Sequence, residues 1–122
     1  MKIRLILEKE NGTLWGRVTY DKNLIVDSAA TLSLLQNKLK KVLKEFHSVD
    51  NVEFDCQYDL TVFFEQFNFL NQSKVAELSG INPGLLRQYA SGVKHPSKEQ
   101  AQKIQIAIRD LAVRLRSVRI YA

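Results

Sequence analysis

The sequence predicts an α+β fold: an N-terminal β-β-β-α-β unit, then an all-α bundle and a short C-terminal strand. Three observations predict it. Apolar residues alternate with period two near the N-terminus and again over residues 51–58. From Asp59 onward they recur at helical spacing instead. The charge balance also changes. Residues 1–70 hold nine basic and ten acidic residues, net −1, whereas residues 71–122 hold nine basic and three acidic, net +6. The change of texture places two domains at residues 1–58 and 59–122.

Residues 2–8 are mostly aliphatic, with Ile3, Leu5 and Leu7 on one face, which is a strand by period and composition. Asn11-Gly12 marks a tight hairpin turn, and residues 13–19 form the returning strand. Asp21-Lys22-Asn23 is a second turn, leading into a short third strand, Leu24-Ile25-Val26. Asp27 or Ser28 then caps a helix. Its apolar positions run Leu32, Leu35, Leu39, Val42, Leu43 and Phe46, with Lys38, Lys40, Lys41 and Lys44 as a solvated face. In residues 51–58, Val52, Phe54, Cys56 and Tyr58 alternate with Glu53, Asp55 and Gln57, a half-buried strand. The helix before it is long enough to serve as a crossover.

Asp59 caps a helix reaching about Asn71, with Phe63, Phe64, Phe67 and Leu70 as core residues. Helices follow at about 72–79, 83–90 and 97–115. Ser117 to Ala122 alternates like a terminal strand.

Composition narrows the function classes. At 122 residues, with 45% apolar residues and only seven Pro plus Gly, the chain can bury a core and is not a disordered polypeptide. No run approaches about 18 apolar residues, so no membrane span is expected. Met1-Lys2-Ile3-Arg4 does not open an apolar signal segment. The single cysteine, Cys56, permits no internal disulfide, and a reducing, cytoplasmic home is expected. His47, His95 and Cys56 show no metal-ligand spacing, and Asp50, Asp55 and Asp59 do not converge predictably. No catalytic residue, metal or cofactor is therefore assigned, and a non-enzyme is expected. RNA binding through Trp15 and Tyr20, and a pure protein-interaction module, are the competing binding classes.

Residues 72–92 carry the most information. Ala76 is small where two helices would cross closely, and Gly80 sits where a turn needs positive φ. Ile81 is a plug, Asn82 an N-cap, and Pro83 suits the first helical position. Leu86 and Tyr89, three apart, face the first helix, and Gly92 stops the second. Ser97 with Gln100 forms a capping box for the last helix.

This segment, Ala76, Gly80, Ile81, Leu86, Tyr89 and Gly92 in register, resembles the helix-turn-helix of the lambda-repressor/Cro type over about residues 60–115. The resemblance implies that the second helix enters the major groove of double-stranded DNA. The positions facing base edges are then Pro83, Gly84, Arg87 and Gln88. Proline and glycine carry no side-chain donor, so direct readout falls on Arg87 and Gln88. Gln72, Ser91, Lys94, His95 and Lys98 would hold phosphates.

The order β-β-β-α-β followed by this motif resembles the HicB-type antitoxins, best at Val52–Tyr58, Phe63–Phe67, Gly80-Ile81-Asn82, Leu86–Tyr89, Gly92 and Val118–Tyr121. That resemblance implies a degenerate RNase H-like N-terminal domain that binds a small basic mRNA-cleaving toxin. It also implies a C-terminal domain that dimerises and represses its own operon. Where the family carries Gly-x-Thr and paired glutamates, this sequence reads Asp27-Ser28-Ala29-Ala30-Thr31. A stand-alone regulator without a toxin partner, or an interaction module that has lost DNA readout, is the alternative.

Overall fold

The computed structural model describes residues 1–122. The order of elements is β1 (Lys2–Glu10), β2 (Thr13–Tyr20), β3 (Asn23–Ala29), α1 (Leu32–His47), β4 (Glu53–Tyr58), α2 (Leu60–Gln66), α3 (Gln72–Ser79), α4 (Pro83–Ser91) and α5 (Lys98–Arg116). The chain is α+β, with one four-stranded mixed sheet and five helices. It divides into two compact units, Met1–Phe63 and Phe64–Ala122, a division that falls inside α2.

In the first unit the strand order is β3-β2-β1-β4. β1 pairs antiparallel with β2 and parallel with β4, so the connection from the hairpins to β4 must cross the sheet, and α1 makes that crossing. Both hairpin turns place their two central residues at positive φ: Asn11 (51°) with Gly12 (77°), and Asp21 (48°) with Lys22 (64°). Such turns match the twist of the strands they join.

Period two sorts the sheet residues. Ile3, Leu5, Leu7, Leu14 and Val18 are buried and meet Leu35, Leu39 and Leu43 of α1 in one core, closed by Val49, Val52 and Val62. The opposite face carries Arg4, Ile6, Glu8, Trp15, Arg17, Leu24 and Val26, mostly exposed. Gly16 is the point of closest approach. A Cβ there would lie 2.8 Å from Leu35 Cδ2 and 3.0 Å from Leu5 Cδ1, and both leucines are fully buried. Gly16→Ala is therefore expected to destabilise the protein by about 1–3 kcal/mol through overpacking. Urea unfolding followed by far-UV circular dichroism measures it, and an unchanged midpoint would show that the leucines can retreat.

Four expectations need correction. Helix α1 is capped by Thr31, whose hydroxyl accepts from Leu34 N at 3.2 Å, and not by Asp27 or Ser28. Those two belong to β3, which pairs with β2 as far as Ala29 opposite Leu14; ladder pairing outlasts the local capping signal. Phe46 is 75% exposed, because α1 ends at His47 and Ser48 turns left-handed (φ 55°), handing the core position to Val49. The helix after Asp59 stops at Gln66 rather than near Asn71. Asp59 does cap it, accepting from Val62 N at 2.9 Å, but Asn71 is already the N-cap of α3. Finally, residues 118–122 form no strand: Ser117 caps α5, Val118 N–H reaches back to Leu115 O, and no sheet strand pairs with the tail.

In the second unit α3 packs against both α4 and α5. Its interior holds Phe64, Val75, Ala76, Ile81, Leu86, Tyr89, Ile104 and Ala107.

Candidate nucleic-acid interface

The polar face of the second unit is built by two helix termini. Asn71 Oδ1 accepts from Lys74 N at 3.1 Å and starts α3. Ala76 is fully buried, so a larger side chain would push α3 off its neighbours. The helix ends at Gly80 (φ 72°), whose N–H donates to Glu77 O at 3.3 Å while Ile81 N–H donates to Ala76 O at 3.0 Å. This Schellman pattern satisfies carbonyls that the helix end leaves free. Ile81, 5% exposed, then anchors the turn.

Asn82 starts α4 with unusual economy. Its Oδ1 accepts from Gly84 N at 2.8 Å and from Leu85 N at 3.3 Å, and Pro83 occupies the first turn, where its missing N–H costs nothing. Asn82→Ala is expected to lose about 1 kcal/mol of stability through the cap. A urea titration checks it, and Asn82→Ser should restore most of the loss.

Helical geometry then sorts α4 into two faces. Leu86 and Tyr89 are buried, while Pro83, Arg87, Gln88 and Ser91 are exposed. Arg87 and Gln88 thus both leave the helix on sides turned away from the packing surface. Gly84 is half-buried and contributes only backbone. Gln72 is half-buried in the first turn of α3. Ser91 is exposed, with its hydroxyl donated to Gln88 O at 3.2 Å, so it must rotate to serve another acceptor. Lys94 and His95 are exposed on the segment between α4 and α5, Lys98 is exposed as the first residue of α5, and Lys94 N–H donates to Gln88 O at 3.2 Å.

Three of the cations here are free of ion pairs. Lys74 pairs with Glu77 at 3.4 Å, but Arg87, Lys94 and Lys98 meet no carboxylate at ion-pair distance. Over Phe64–Ala122 nine basic residues face four acidic ones, net +5; over Met1–Phe63 the counts are nine and nine. An anionic ligand would therefore find unneutralised donors on the second unit.

From the sequence Trp15 is a candidate for base stacking, with core or interface as the other reading. The structure sets it beside Ile6, Leu24 and Val26 along a shallow depression of about 230 Å³ on the uncovered sheet face, next to the Arg17–Glu8 ion pair at 3.0 Å. Strand alternation carried that signal, since Trp15 points opposite to Leu14. Tyr20 lies elsewhere, edge-on to His47 at 5.5 Å.

Cys56 lies on the helix-facing side, where Gln36 Nε2 donates to its Sγ at 3.5 Å. Burial pushes its thiol up from the ordinary value, outweighing that hydrogen bond. Burial, with the neighbouring Cys56, likewise raises Tyr58. No group of three His, Cys, Asp or Glu side chains could hold a metal ion. No helix is long and apolar enough to cross a membrane. Compared with protein-family models, curated proteins and solved structures, the chain matches none.

Proposed function

We propose that this chain is a sequence-specific DNA-binding repressor, and that it serves as the antitoxin of a toxin–antitoxin pair. In this reading α3, the Gly80–Asn82 turn and α4 act as a helix-turn-helix of the lambda-repressor/Cro type, with α4 entering the major groove. The observation that carries it is the division of α4. Leu86 and Tyr89 hold it to the unit while Arg87 and Gln88 project outward without a carboxylate partner. Arginine pairs with guanine O6 and N7, and glutamine with adenine N6 and N7. Lys94, His95, Lys98, Gln72 and Ser91 would fix the register on phosphates. Pro83 and Gly84 let the backbone of the first turn come close to the groove.

The N-terminal unit takes the part of a degenerate RNase H-like domain. Supporting this are the strand order β3-β2-β1-β4 and the parallel β1–β4 pair joined through α1. It would hold the small basic toxin. Because that unit is electrically neutral, attraction between them would rest on local charge pairs and apolar contact rather than net charge.

Fluorescence anisotropy tests the reading. The protein is titrated against the duplex upstream of its own reading frame at several salt concentrations, with and without the product of the neighbouring small frame. Tight binding with a steep salt slope, altered by the neighbour, is the expected result. Binding indifferent to the neighbour would leave a stand-alone regulator. Affinity equal to that for random duplex would overturn specific readout.

A further inference from the structure

The first turn of α4 has no backbone donor left to give. Pro83 carries no N–H. The N–H groups of Gly84 and Leu85 both donate to Asn82 Oδ1, at 2.8 and 3.3 Å, and that of Leu86 donates to Asn82 O at 3.0 Å. These amides therefore hold no anion and read no acceptor on a base edge. What the turn presents is carbon: the exposed ring of Pro83 and the half-buried Cα of Gly84.

Gly84 also leaves a notch. A Cβ there would stand 3.1 Å from Asn82 Oδ1 and 3.7 Å from Arg87 Nη2, so those two atoms wall the space that a side chain would fill. The backbone does not call for glycine at this position, since the glycines at positive φ are Gly12, Gly80 and Gly92. Glycine within a helix costs stability relative to alanine. Arg87 reaches the notch because a helical side chain leans over the turn N-terminal to its own Cα. The 3.7 Å between the notch and the guanidinium is close to the rise of about 3.4 Å from one base to the next along a strand.

On the DNA-binding reading of α4, on which this rests, we infer that the Gly84 notch seats the C5-methyl group of a thymine on the base pair next to the guanine that Arg87 reads. Base edges in the major groove present donors and acceptors, and one apolar group that stands proud of them, the thymine methyl. A surface without donors recognises only the last. The notch is one carbon deep, the size of a methyl group, and Pro83 adds apolar surface one residue away. Gln88 leaves α4 about 100° round from Arg87 and takes no part in it. Two neighbouring base pairs are then read by two neighbouring devices, the guanidinium by hydrogen bonds and the notch by shape. The missing side-chain donors at Pro83 and Gly84 select a base rather than abandon one.

Uracil tests this, because it differs from thymine only by that methyl group. Each thymine of the operator duplex is replaced in turn by uracil, and the anisotropy titration of the full chain is repeated. One position in the half-site is expected to weaken binding about 3- to 5-fold, the contribution of one buried methyl group, while the others change little. Gly84→Ala fills the notch with a carbon of its own. That variant is expected to bind the thymine operator less tightly and to bind uracil at the sensitive position at least as well as thymine. The uracil series uses the unaltered protein, so it does not depend on how the variant folds, and far-UV circular dichroism checks that α4 survives in Gly84→Ala. A parent that selects the operator over random duplex yet is indifferent to uracil at every position would overturn the inference alone. So would a Gly84→Ala variant that keeps the parent's preference for thymine. A parent without selectivity for the operator would overturn the DNA-binding reading, and the thymine contact with it.

Discussion

Leu39→Ala is expected to lower stability by about 2–5 kcal/mol, a large part of what holds a small domain together. Leu39 is fully buried at the middle of α1, with Leu35 and Leu43 one turn away on each side and the sheet residues Leu5, Leu7 and Val18 beneath. The substitution removes three carbons' worth of contact, and the cavity cannot collapse easily. Neighbouring strands are fixed by two ladders, and the nearest approach, at Gly16, already brings backbone against Leu35. Trp15 is the only tryptophan and belongs to the first unit, so its fluorescence during urea unfolding reports this region. A midpoint shift equivalent to less than about 1 kcal/mol would mean that α1 settles into the space and that the core is less rigid than its packing implies. Phe46→Ala is the natural control. The side chain is larger, yet it is 75% exposed and its loss should change the midpoint little.

That contrast between Leu39 and Phe46 marks where the sequence was readable. Periodicity located the stripe of α1 because three successive turns obey it. It failed at Phe46 because the helix ends one residue later, and a left-handed Ser48 redirects the chain. The Asn11-Gly12 turn was legible for a local reason, since those residue types accept positive φ. The extent of β3 was not. Asp27 and Ser28 have good capping chemistry, but their place was decided by pairing with Trp15 and Gly16 on β2. Likewise the alternation of residues 117–122 is real, but a strand needs a partner, and none lies within the chain.

The candidate interface was more legible than the fold around it, because its geometry is written in short-range rules. Gly80, Asn82 and Pro83 each act within four residues, and each does what its type suggests. The burial of Leu86 and Tyr89 follows from their spacing alone. What no local rule supplied was the uncovered sheet face around Trp15, Leu24 and Val26. Alternation shows that these side chains share a face; only the tertiary arrangement shows that α1 packs against the other one.

Arg87→Ala is expected to weaken binding to the operator by about 5- to 150-fold, the equivalent of about 1–3 kcal/mol for a lost bidentate contact to guanine. The side chain is exposed and unpaired, so thermal unfolding should not move. The discriminating readout is therefore the ratio of operator to random-duplex affinity rather than either alone. A base-reading arginine contributes to that ratio. A phosphate contact does not: Lys94→Ala or Lys98→Ala should weaken both duplexes alike and lower the salt slope by about one. Gln88→Ala should resemble Arg87→Ala but with a different base affected, because the two side chains leave α4 about 100° apart. If Arg87→Ala reduces both affinities equally, α4 lies along the backbone and not in the groove, and specificity must come from DNA shape. If it changes neither, α4 makes no contact with DNA, and the exposed pair Arg87 and Gln88 belongs to a protein interface instead.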